Sequence, residues 1–492
     1  MPDAKPDVLP YFYARLLLSL AAGCSMMMLY PIVAFHVDSG TVQAQTQVRI
    51  ISADELVGGD SDLGPVRKLL GNVEMETDDF YLKADSVYQY LEQNLVDAYG
   101  NIDIETESQR IWADSLRYNT GTDQSHFRGR VVVQGRASRL LSPEMLYNFF
   151  FEIAEFPRHI RLEDEEGELR ADSGLYFSLP DSAAFFGNVQ LTDSTQYAES
   201  DSLFAVRSAG QYELHGQVYL EDFENQSRMR GDFSRTDSTG YRELRGDAQL
   251  QRINEAGTDT TFLQSAWLEV IDRDTLSVVD AYENVRIWSS RYASVSGQSR
   301  YDNRSDVFQL EGDARLWQQE TQLSAENIII QLQDDEIESL LAFPRAISVL
   351  PDSATGRFNQ IQGDSLRMQF EESELRRIHV RPDTEMMVHE KDSDGQPEFG
   401  MQIRAEELRV FLREEAIDSL KYYSAIDGDY IPEAQNPGDI RLSAFQYDPE
   451  MRPQRPGTWL TPRLDYPDDT PPFTFPPRYM EYLRESGEPA EL

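Results

Sequence analysis

The chain has 492 residues, with 45 basic and 86 acidic side chains, a formal charge of −41, 40% hydrophobic residues and one cysteine. That charge argues against a nucleic-acid partner, which needs clustered Lys and Arg, and the hydrophobic content, with 24 Tyr and 24 Phe, excludes a disordered chain. The acidic residues are spread along the chain, as in Asp334-Asp335-Glu336 and Glu163-Asp164-Glu165-Glu166, and read as a solvated surface suited to high salt.

At the N-terminus Arg15 precedes an apolar run from Leu16 to Phe35. Val42-Gln43-Ala44 then places small residues three before and one before a cut after Ala44, so 1–44 is predicted to be an export signal. The run is also long enough for an uncleaved membrane anchor, and Ala21-Ala22-Gly23-Cys24 is an imperfect lipoprotein attachment site. Cleavage would start the mature chain at Gln45 in the periplasm, without cysteine and so without a disulfide.

From residue 49 the chain repeats itself about every thirty residues. One half of the unit is Ala-Asp-Ser or a variant inside an apolar stretch: Ala84-Asp85-Ser86, Ala113-Asp114-Ser115, Ala171-Asp172-Ser173, Ser200-Asp201-Ser202 and Gly363-Asp364-Ser365. About sixteen residues later comes a Gly before an apolar run, at Gly71, Gly100, Gly129, Gly187, Gly216, Gly246 and Gly312. Apolar residues alternate instead of following a helical period, so each unit reads as two strands in a stacked array. In one unit Ile111 to Tyr118 is a strand, Asn119 to Ser125 a turn and Phe127 to Val133 the return strand. Ala113 and Leu116 are three apart, as are Ala84 and Val87, which breaks the period of two and predicts a bulge or bend at Asp-Ser. The recurrent Asp is then structural, a short side chain accepting hydrogen bonds at the bend.

The Ala-Asp-Ser strand followed by a Gly-Asn-Val strand resembles the OstA-like (organic solvent tolerance) superfamily, which includes the periplasmic proteins of lipopolysaccharide transport. The resemblance covers roughly residues 49 to 425, in about eleven or twelve two-strand repeats. It implies an all-β, elongated, repetitive antiparallel β-jelly roll over 45–430. Some units depart from the pattern: Pro143-Glu144, Ser265-Ala266 and Ala405-Glu406 replace Ala-Asp-Ser, and Pro157, Asn284 and Pro344 stand near the expected Gly. Spacing lengthens after Ala325, which predicts a seam or insertion near 350–400. The resemblance also implies that acyl chains of lipopolysaccharide, or of a similar glycolipid, lie in an apolar groove between two sheets. On alternation, the inward residues are Leu82, Val87, Leu116, Tyr118, Val131, Val133, Tyr176, Val189, Leu191, Val218, Leu220, Leu366, Met368 and Phe370. A closed dry core would produce the same alternation.

Residues 431–492 hold 12 of the 24 prolines, including Pro471-Pro472 and Pro476-Pro477, and read as an extended tail. Its aromatics, among them Trp459, Tyr466, Phe473, Phe475, Tyr479 and Tyr482, are suited to docking on a partner or on the array end. The six histidines (His36, His126, His159, His215, His379, His389) lack metal-ligand spacing, and no EF-hand loop, nucleophile elbow or phosphate loop occurs. No catalytic residue, metal or cofactor is expected. An open array exposes unpaired strand edges, so the first strand, with Val48 and Ile50, is expected to recruit other jelly-roll proteins of the envelope by strand addition. The competing reading is a structural or adhesive envelope array that uses its surface and carries no lipid.

Overall fold

A computed structural model describes residues 47–486 apart from 137, 166, 179–180, 255–256, 274–275, 334–335, 354, 373, 393–394, 414–415, 459 and 465–472. The predicted signal with Cys24 and the cut after Ala44 lie outside these residues, as do His36, Gln45, Glu166, Asp334, Asp335, Trp459, Tyr466, Pro471 and Pro472.

The predicted strand pair forms as Arg110–Asn119 against Gln124–Gln134. Asn119 Oδ1 accepts the Gly121 N–H at 2.9 Å, and Asp123 turns with a φ of 52°, so the turn uses the polar residues that mark it. The ladder slips once, between Trp112 and Ser115 on one strand and Arg128 and Val132 on the other. Ala113 and Leu116 both stay buried across the slip, so each strand bends there from one wall of a sandwich into the other. Equivalent slips recur at Lys83/Ser86, Glu199/Ser202, Arg245/Ala248 and Glu311/Ala314. Among the described residues one antiparallel sheet of 32 strands is thereby folded along a single corner line. Eight passes break at the corner into two strands each, as Glu336–Phe343 and Ala346–Asp352 do, which leaves 24 passes and twelve two-pass units. Among the described residues between 350 and 400 both walls stay paired: Ser339 to Ala342 pairs with Leu366 to Gln369 on one wall, and Gln360 to Gln362 with Glu385 to Met387 on the other. The wider spacing comes from longer passes, such as Glu336–Phe343 together with Ala346–Asp352, against the ten residues of Arg110–Asn119.

Small residues line the inside of the corner (Ala84, Ala113, Ala248, Ala314, all at 0% exposure), and large ones lie toward the strand tips. This grading fills a wedge, because the walls diverge away from the corner. Apolar burial, at about 25 cal/mol per Å², is continuous: one cluster runs from Leu69 in the first unit to Val410 in the last.

The proline-rich tail docks, and it does so along the array. After Asp427–Pro432 the chain turns back over the outer surface of one wall. Buried glutamines on the outer face of this wall hold its backbone in place of a neighbouring strand. Gln360 accepts the Leu442 N–H at 2.9 Å and donates to the Ile440 carbonyl at 3.0 Å; Gln362 accepts the Ala444 N–H at 2.9 Å; Gln322 accepts the Asp448 N–H at 2.8 Å. Further on, Gln251 accepts the Leu460 N–H at 2.9 Å, and the Glu199 carboxylate accepts the N–H groups of Arg463 and Leu464 at 2.6 and 2.9 Å. The helix Pro477–Ser486 then buries Tyr479 and Leu483 against Trp112, Val132 and Leu141. The wall under the tail is called the strapped wall below, and the other the bare wall.

Candidate functional site: corner, interior and edges

At each regular corner the Asp of one strand sits against the Gly of the next. A Cβ on Gly100 would lie 2.4 Å from Asp85 Oδ2, and the same crowding holds at Gly71 with Asp54, Gly129 with Asp114, Gly187 with Asp172, Gly216 with Asp201 and Gly246 with Asp232. Gly100 has a φ of 76° and Asn101 one of 50°, two successive left-handed residues that permit the fold in the strand. Asn101 Nδ2 donates to Asp85 Oδ2 at 2.9 Å, as Asn72 does to Asp54 at 2.9 Å and Asn188 to Asp172 at 2.8 Å. In the third unit Arg130 replaces Asn and its guanidinium bonds Asp114 at 2.6 Å, holding that carboxyl below its ordinary pKa. The recurrent Asp is therefore a fastening of the corner. Units without Gly keep the same main-chain bond: Asp54 N–H to the Gly71 carbonyl at 2.9 Å is matched by Asp364 to Pro382 at 3.0 Å and Glu406 to Ser424 at 3.1 Å.

All fourteen predicted inward residues lie in the interior cluster. Leu82, Val87, Leu116, Tyr118, Val131, Val189, Val218, Leu220, Leu366, Met368 and Phe370 are buried, while Val133, Tyr176 and Leu191 are partly buried and packed against them. None of the buried eleven exceeds 8% exposure, so side chains fill the space between the walls at these positions. The side opposite the corner is closed in the early units by aromatics, of which sequence spacing singled out Tyr118 but not Phe80, Phe149 or Tyr147. Phe80, at a strapped-wall tip, stacks on Phe149, at a bare-wall tip, with centroids 4.4 Å apart; Tyr118 and Tyr147 pack edge-on beside them. Tyr118 donates to Asp123 at 2.8 Å. In the last unit burial pushes the Tyr422 phenol up to about 12, and its hydroxyl donates to Met386 Sδ at 3.6 Å.

Both ends of the array carry exposed edges. Ile50 pairs with Met75 on one side, and among the described residues no strand covers the other side of Arg49–Ser52 or Glu55–Ser61. Val48 stands just before the first strand, and it and Ile50 are partly buried on the core. Leu56 is 58% exposed on this edge, and Ile426 and Tyr430 are 61% and 62% exposed at the other end. No helix among the described residues is long and apolar enough to cross a membrane.

The folded sheet and its corner chemistry define an all-β repeat protein of the jelly-roll kind. Residues 45–201 match the family of OstA-like proteins, from the first edge strand to the corner at Asp201, and this match supports the OstA-like resemblance. The same construction continues to Pro432. No curated protein matches the chain.

Proposed function

We propose that this is a periplasmic bridge protein of lipopolysaccharide transport and outer-membrane assembly, carrying acyl chains of lipopolysaccharide or a similar glycolipid between its walls. The observation that carries the reading is the apolar interior running unbroken through all twelve units, taken with the OstA-like match. Each buried methylene contributes about 0.8 kcal/mol, while successive units offer nearly equal surroundings, so an acyl chain held in one unit moves to the next with little change in free energy. Because the interior is packed, cargo enters by parting the walls on the side opposite the corner, where Phe80 and Phe149 meet. The open edges then receive other jelly-roll proteins of the envelope by strand pairing, and export by the N-terminal segment 1–44 delivers the array to the periplasm. The chemistry is binding and transfer, with no catalytic step.

Placing a photo-crosslinking amino acid at Leu116 or Met368 tests this: lipid should be captured there and not at Arg117 or Gln309, which face outward. Mass spectrometry of lipid co-purified with the native protein names the cargo. Equal capture at all four positions, or at none, overturns the reading. A structural or adhesive array is favoured by the dry interior and by a chain of ring contacts on the bare wall, Phe186–Phe204–His215–Phe233, with centroids 5.8, 5.3 and 4.9 Å apart. That reading predicts a lipid-free protein at the cell surface with protein or glycan ligands.

A further inference from the structure

The bare wall ends in a face whose charge is opposite to that of the chain. Its last four strands are Ser365–Glu371, Glu374–Arg381, Glu407–Arg413 and Ala416–Tyr423. Leu366, Val380 and Leu408 are buried in the interior at 0% exposure, which sends the alternate residues outward. Strand register then sets Arg367 beside His379, His379 beside Arg409, and Arg409 beside Lys421. Arg377 stands beside Phe411 in the next row, and Arg381 lies at the corner end of its strand.

Within these rows the carboxylate is Glu407, which takes His379 at 3.0 Å and Arg409 at 2.6 Å and lies below its ordinary pKa chiefly through its bond to Arg409. Near the tips, Glu371 stands exposed opposite Glu374, and Glu374 and Asp418 are paired with Arg376 at 2.8 Å and Arg413 at 3.5 Å. Among the described residues Arg367, Arg377, Arg381 and Lys421 have no carboxylate within ion-pair distance, although acidic side chains outnumber basic ones 86 to 45. Aromatics are interleaved: Arg377 and Lys421 lie 5.4 and 5.0 Å from the Phe411 ring centre, and Arg409 lies 5.1 Å from that of Tyr423.

We propose that this face docks on an anionic lipid-bilayer surface. A four-strand sheet face with strands ~4.8 Å apart is flat over the span of several headgroups, and its unneutralised cations match a negatively charged plane. Tyr423 and Phe411 supply the aromatic component that residues at a bilayer interface commonly have. The rest of the chain, which carries the excess of acidic side chains, is repelled by the same surface, which orients the array so that its C-terminal units meet the membrane. The proposal stands on the outer charge pattern and is independent of any lipid held between the walls.

The test is flotation of the full chain with vesicles of phosphatidylcholine alone and of phosphatidylcholine mixed with phosphatidylglycerol. Binding is expected only to the anionic vesicles, and it should weaken as salt is added. The variant Arg367→Gln/Arg377→Gln/Lys421→Gln should lose about tenfold or more of that binding. Arg67→Gln/Lys68→Gln/Lys83→Gln, an equal change of charge at the other end of the array, should retain it, and thermal melting of both variants verifies the fold. No binding by the native chain, equal binding to neutral vesicles, or equal loss in the two variants overturns the proposal. Capture of an acidic protein without vesicle binding does so as well.

Discussion

At the scale of single residues, the corner depends on glycines that have no room for a methyl group. Gly100→Ala must place a Cβ 2.4 Å from Asp85 Oδ2 at a φ of 76°, and it should destabilise the array by about 1–3 kcal/mol in chemical denaturation. Gly58→Ala, with nothing within 4 Å, should change stability by less than about 0.5 kcal/mol, and equal effects at the two sites would refute the corner argument. A second residue-scale prediction concerns His389, whose two ring nitrogens are buried without a hydrogen-bond partner. Burial pushes its pKa down, and Arg357 and Arg441 push the same way against Glu433 and Asp352; Lys391 is bound to Asp352 at 2.7 Å. The folded state therefore prefers the neutral ring. As pH falls below about 6.5 the unfolded chain takes up a proton that the folded chain resists, so stability should decline on the acid side of that value. In His389→Phe this part of the decline should vanish from melting curves measured against pH; an unchanged profile would exclude His389 as its source.

At the scale of elements, the strap and the corner differ in how far each was legible in the sequence. The corner repeats because each regular unit sets the same short acceptor on one pass against the same left-handed pair on the next, so Ala-Asp-Ser and Gly-Asn recur in phase and disclose both strands and bend. Pro344, Pro382 and Ser424 obscure later corners, since a main-chain carbonyl serves whichever residue carries it. The fourteen inward residues followed from alternation, whereas the closure by Phe80 and Phe149 did not, because these lie in turns where alternation has ended. The track of the tail was hidden for another reason: Gln251, Gln322 and the pair Gln360 and Gln362 occupy outward positions on three strands far apart in sequence, and only pairing brings them into a line. The row Arg367, His379, Arg409 and Lys421 was hidden in the same way. For the strap itself, Gln360→Ala/Gln362→Ala leaves main-chain groups of Ile440, Leu442 and Ala444 without partners. Each loss costs about 1–3 kcal/mol, so amide exchange should quicken in residues 440–447 while strand amides of the first units keep their protection. Unchanged exchange there would mean that the glutamines do not hold the tail.

At the scale of the whole array, units touch mainly their neighbours, so stability approximates a sum over units and their interfaces, with the ends weakest. The N-terminal edge also carries the association proposed for this protein. Val48→Pro or Ile50→Pro removes ladder donors and should abolish end-to-end pairing with envelope partners, read by sedimentation, with far-ultraviolet circular dichroism unchanged; full affinity in a folded variant would exclude this edge. The strap breaks the nearest-neighbour rule, since the helix Pro477–Ser486 closes over Trp112 in the third unit. Chains emerge from the ribosome N-terminus first, so the third unit pairs its strands long before its outer covering exists. A molecule interrupted at any point before that helix displays Trp112, Val132 and Leu141 as an apolar patch, and a completed molecule hides it. The third unit thus stays open to chaperones and proteases until the helix Pro477–Ser486 has been made and has docked.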